Sequence, residues 1–121
     1  MHVATEDQIR ELRARLLATP TDVATAKRYW DALGNLNGHD VRSGRDVVDA
    51  FGYAALQSDG GAIALSSAYW ELFNLSGEGP RKTYLNENLL SAIRRARHRT
   101  PGSDGDLLQW LLESIEESSA R

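Results

Sequence analysis

Residues 94–99 read RRARHR, four arginines and one histidine in six positions, and the run stops at Thr100 and Pro101. Guanidinium groups at this density can neutralise phosphates without reading bases, so the first chemistry the chain offers is contact with a nucleic-acid backbone. At roughly 100° per residue, Arg94 and His98 form one row of a helix and Arg95 and Arg99 another. Arg97 falls at the edge of the apolar stripe, and Arg81 and Lys82 upstream extend the basic region. A second account needs no ligand. Cations interact well with the last carbonyls of a helix, and Asp104 and Asp106 return beside them across the turn. The net charge of -3 and the lack of aromatic residues within the run favour this second account, because nucleic-acid binders are usually strongly basic and single-strand binders stack bases on rings. The expectation is a solvated, locally compensated face. Accessory nucleic-acid binding through Arg81, Lys82, Arg94, Arg95, His98 and Arg99 is the alternative.

Other candidate chemistry is thinner. GEGPRKT, residues 77–83, places glycines before Lys82 and Thr83, but a phosphate-binding loop needs G-x-x-x-x-G-K-[ST] after a buried strand. His39-Asp40 is a metal-ligating dipeptide in search of further ligands, while His2, His39 and His98 lack ligand spacing. Ser66 and Ser67 have no G-x-S-x-G elbow around them. Asp46 with Asp49, and Glu113 with Glu117, lie a turn apart as carboxylates on a solvated helix face do. No catalytic residue, metal ligand or cofactor is expected, and the chain reads as a non-enzyme.

These residues must be positioned by helices. The 121 residues suit one domain, and zero cysteines exclude disulfides and thiolate sites. Glu6, Asp7 and Glu11 interrupt the first apolar residues, unlike a signal peptide, and no apolar run reaches the roughly 20 residues of a membrane span. A soluble cytoplasmic protein is expected.

Thr5 to Gln8 has capping-box spacing ahead of a helix over about residues 6–18, in which Ile9, Leu12 and Leu16 recur at helical spacing. Thr19 or Thr21 caps a second helix with Val23, Ala26, Trp30 and Leu33 on one stripe, ended by Gly34. Residues 34–44 read as the longest loop, after which Ser43 caps a third helix burying Val47, Ala50, Phe51 and Ala54. Residues 58–61 close it. The fourth helix, about residues 62–74, carries Ile63, Leu65, Tyr69, Trp70, Leu72 and Phe73 on nearly every side, which predicts a central helix with Trp70 buried. Asn86 caps a fifth helix with Leu85, Leu89, Ala92, Ile93 and Ala96 on one face, and a sixth spans about residues 104–118. Nothing alternates with the period of a strand. The fold class expected is all-α, a compact bundle or orthogonal array of about six short helices in a single domain, residues 1–121.

The sixth helix carries the function reading. Leu107, Leu108, Trp110, Leu111, Leu112 and Ile115 cover roughly 200° of it, wider than one packed face requires. Trp110, flanked by Leu108 and Leu112 and rimmed by the acids Glu113, Glu116 and Glu117, is therefore the expected anchor of a protein interface. A small helical domain of this kind is expected to act as an adaptor, inhibitor or assembly subunit that binds another protein or a second copy of itself.

Overall fold

The computed structural model describes residues 6–19, 21–37, 44–77, 80–81 and 84–119. Within them lie six helices and no strand: α1 (Glu6–Ala18), α2 (Val23–Asn37), α3 (Gly44–Gln57), α4 (Asp59–Ser76), α5 (Glu87–Arg99) and α6 (Gly102–Ser119). The all-α array expected from periodicity is the fold. The Thr5 and Ser43 caps, the His39-Asp40 pair and Lys82 lie outside the described residues.

Three of the helices, α2, α4 and α5, start where a side chain replaces a missing backbone partner. At α2 that side chain is Asp22, and neither Thr19 nor Thr21: its Oδ1 accepts the Thr25 N–H (3.2 Å) and its Oδ2 the Thr25 hydroxyl (2.6 Å). Those bonds hold the Asp22 carboxyl below the usual aspartate value. At α5, Asn86 caps as expected, its Oδ1 accepting the Leu89 N–H at 2.8 Å. Gly34 does not stop α2, which continues to Asn37. Among the described residues only Gly77 and Gly102 adopt positive φ, so Gly34 stays in helical backbone at the modest penalty glycine carries there.

The junction of α3 and α4 also departs from expectation. Ser58 is the only residue between them, and it begins α4 as well as closing α3: its hydroxyl accepts the Gly61 N–H (3.0 Å) while its own N–H bonds the Ala54 carbonyl (3.0 Å). Gly60 and Gly61 therefore sit in the first turn of α4. A Cβ on Gly61 would overlap the carbonyl of Ala54, so the two helices meet there backbone to backbone. The far end of α4 is closed by Gly77, at φ 75°, whose N–H bonds the Phe73 carbonyl.

Among the described residues, α3 and α4 form the most extensive helix–helix contact. On one side α1 and α2 lie against α3; on the other α5 and α6 lie against α4, and α5 also reaches α3. The contact face of α3 is the expected one, with Val47, Ala50, Phe51 and Ala54 buried, and Trp30 of α2 meets Phe51 at 6.3 Å between ring centroids. Helix α4 touches α2, α3, α5 and α6, as a central helix must, and buries Leu65, Tyr69 and Leu72. Tyr69 is wholly buried and donates its hydroxyl to the Gly44 carbonyl (3.1 Å), pinning the start of α3; burial pushes its phenol well above the ordinary tyrosine value.

Trp70 is the principal correction. It is 42% exposed, and Phe73 one turn on is 40% exposed. A helix covered by neighbours over its Leu65, Tyr69 and Leu72 side still has a far side, and these rings occupy it. The penalty of about 3–5 kcal/mol for truncating a buried aromatic therefore does not apply to Trp70→Ala.

Candidate functional site

The basic run lies on the last turns of α5. Arg94, Arg95, His98 and Arg99 are exposed and Arg97 is half-buried, as the helical rows require. Compensation comes from other groups than expected. Arg99 Nη2 pairs with Asp59 Oδ1 at 2.8 Å, at the start of α4, rather than with Asp104 or Asp106. Arg97 Nε donates to Gln109 Oε1 (3.0 Å), and Gln109 Nε2 donates in turn to Glu113 Oε1 (3.0 Å). Arg81 is exposed but precedes the opposite end of α5, about 20 Å from Arg99 for 13 residues at 1.5 Å each. The structure thus gathers Arg94, Arg95, His98 and Arg99 on the last turns of α5, whereas Arg81 precedes its first turn.

The patch expected on α6 does not assemble as one surface. Leu108 is wholly buried with Leu111 and Ile115 in the core, out of a partner's reach. Trp110 and Leu112, two positions or about 200° apart, flank that buried face on opposite sides, both half-buried against the core. The acids divide with them: Glu113 stands one turn beyond Trp110 and Glu116 one turn beyond Leu112, both exposed.

Trp110 instead joins α4. Its ring meets Trp70 at 5.1 Å between centroids in an edge-to-face pair (85°) and Phe73 at 5.9 Å (64°), while Trp70 and Phe73 stand 6.2 Å apart. Each geometry is of the kind aromatic pairs prefer. Three large rings from two helices thus form one cluster that is open to solvent along the Trp70 and Phe73 side. The sequence held the signal: the apolar residues of α4 exceed the width of one buried stripe just as those of α6 do. Reading α6 alone missed that the two excesses meet.

A second opening was not anticipated. Between α1, α3 and the start of α5 lies a cavity of about 240 Å³, floored by Leu16, Val48 and Leu89 and edged by the exposed Leu17, Tyr53 and Leu56. Arg13 and Asp49 supply its polar end. Asp49 is exposed, yet the apolar surroundings of its carboxyl push it up by desolvation, and the Arg13 guanidinium only partly opposes this. The folded state therefore holds the Asp49 proton to higher pH than the unfolded chain does, and stability falls as pH rises through the interval between the two values. Asp49→Asn is expected to stabilise the fold near pH ~7, with the gain disappearing below the ordinary carboxylate value of about 3.9. Urea denaturation of both proteins at the two pH values checks it; a variant less stable near pH ~7 would show that attraction to Arg13 outweighs desolvation.

Ser66, deep in α4, donates its hydroxyl to the Ala62 carbonyl (3.0 Å) and is fully buried. Among the described residues no group of three or more His, Cys, Asp or Glu could hold a metal ion, and no helix is long and apolar enough to cross a membrane. Compared with known proteins, the chain matches no family model, no curated protein and no solved structure.

Proposed function

We propose that this chain is a non-enzymatic protein-binding module, an adaptor, inhibitor or assembly subunit of the cytoplasm, that docks its partner on the aromatic face shared by α4 and α6. One observation carries this reading: Trp70 and Phe73 stay 42% and 40% exposed while packed on Trp110. Single exposed apolar residues are ordinary, whereas contiguous exposed rings are what interface anchors look like. Trp110 keeps the role expected of it, with Trp70 and Phe73 in the places first assigned to Leu108 and Leu112.

The runner-up, nucleic-acid binding, is favoured by the exposed Arg94, Arg95 and His98 on α5. One experiment weighs both. A photo-crosslinking amino acid is placed at position 70, and separately at position 94, and the protein is irradiated in an extract of the cells that make it. Protein adducts from position 70 that disappear on Phe73→Ala support the docking face. Adducts only from position 94, to nucleic acid, move the function to α5. Trp70→Ala is expected to lower stability by about 1–2 kcal/mol, the worth of its ring contacts, and to weaken binding by about 2 kcal/mol or more. A loss of fold as large as that of a core aromatic would place Trp70 in the core and remove the anchor.

A further inference from the structure

We infer that the segment docking on this face is cationic, and that it sets an arginine or lysine of a partner protein on the exposed ring of Trp70, beside Trp110. The inference rests on the docking reading above and adds the partner's chemistry. It comes from what the two helices lack. Across α4 and α6 there are seven acids, Asp59, Glu71, Asp104, Asp106, Glu113, Glu116 and Glu117, and no Lys, Arg or His. Three of them line up with the anchor on α6: Asp106 one turn before Trp110, and Glu113 and Glu117 one and two turns after it. Glu71 follows Trp70 directly, and is exposed. Two arginines of α5 do reach these helices: Arg99 pairs with Asp59, three turns before Trp70 on α4, and Arg97 bonds Gln109, which in turn bonds Glu113.

Ring geometry narrows the ligand. The three centroids are 5.1–6.2 Å apart, which is direct ring contact. No gap remains between them for an ammonium to enter, so the cluster is a platform rather than a cage around a quaternary nitrogen. Its outward faces carry the negative side of the ring quadrupole, and a planar guanidinium stacks there well. The surrounding carboxylates repel phosphate, which removes nucleic acid and anionic lipid from this face. They also disfavour a second copy: a two-fold dimer brings the same patch against itself, and so the same acids.

The test uses indole N–H signals of the full chain in NMR titrations with three synthetic amphipathic peptides of one sequence, bearing arginine, citrulline or glutamate at the polar positions. The arginine peptide is expected to shift the Trp70 and Trp110 signals, to bind at least tenfold tighter than the citrulline peptide, and to weaken with added salt. Binding should fall at least tenfold in Trp70→Ala and severalfold in the triple variant Glu71→Gln/Asp106→Asn/Glu113→Gln. A fold check by circular dichroism accompanies each variant. Equal binding of the arginine and citrulline peptides overturns the inference and leaves the docking face standing. Shifts that depend on protein concentration alone, without peptide, overturn it in favour of self-association. Arginine-peptide binding that leaves both indole signals unmoved, or that survives Trp70→Ala, overturns it as unspecific charge attraction. If no peptide binds, the inference is again overturned, and the docking face is then decided by the adducts at position 70.

Discussion

Phe51→Ala is expected to destabilise the domain by about 3–5 kcal/mol, the range for removing a buried aromatic ring. Phe51 is 2% exposed, in the core, with the Trp30 ring of α2 6.3 Å away. Its neighbours on the buried face of α3 are Val47, Ala50 and Ala54, side chains too short to lean into the void. The hole therefore stays open, and the cavity penalty adds to the lost transfer energy. Guanidinium denaturation of the variant against the unchanged protein measures it. A loss below about 1 kcal/mol would mean that the α2–α3 contact relaxes easily and that the core is centred elsewhere.

Gly61→Ala is expected to destabilise by about 3 kcal/mol, against the ordinary sign of a glycine-to-alanine change inside a helix, which gains up to about 1 kcal/mol. The new methyl would land on the Ala54 carbonyl and the adjoining Ala55 nitrogen, backbone atoms that cannot swing aside. Gly60→Ala is the control. Its methyl would meet only Val23 Cγ2, at 3.8 Å, an ordinary contact. Thermal melts of the pair should move in opposite directions. If both variants gain stability, α3 and α4 do not approach at Gly61.

Much of this fold was legible in the sequence because helix signals are local. The apolar spacing of Ile9, Leu12 and Leu16 gave α1 its bounds, and Asn86 before Leu89 gave α5 its start. The errors cluster at glycines and at wide apolar arcs. Gly34, Gly60 and Gly61 read as stops, since a glycine that ends a helix and one that lets another backbone approach look alike in a sequence. For Trp70 and Leu108, a helical wheel gives the width of the apolar arc but not which part a neighbour covers. On α6 the neighbours cover Leu108 and leave Trp110 at the margin; on α4 they cover Tyr69 and leave Trp70 out. The candidate site was half legible for this reason: it needs two helices at once, and Trp70 lies 40 positions before Trp110.

The single-residue corner at Ser58 bears on how the chain reaches this fold. The pair of helices with the most extensive contact is also the pair with the shortest connection, so almost no loop entropy is spent in bringing them together. Residues 44–76 hold their strongest interactions close in sequence, which favours rapid folding, and they form the natural nucleus on which α1, α2, α5 and α6 condense. Substitutions at this corner should slow folding, whereas those in the outer α1 should mainly hasten unfolding. The same corner makes position 58 a poor place for an insertion: lengthening it would separate two helices whose backbones touch three residues further on.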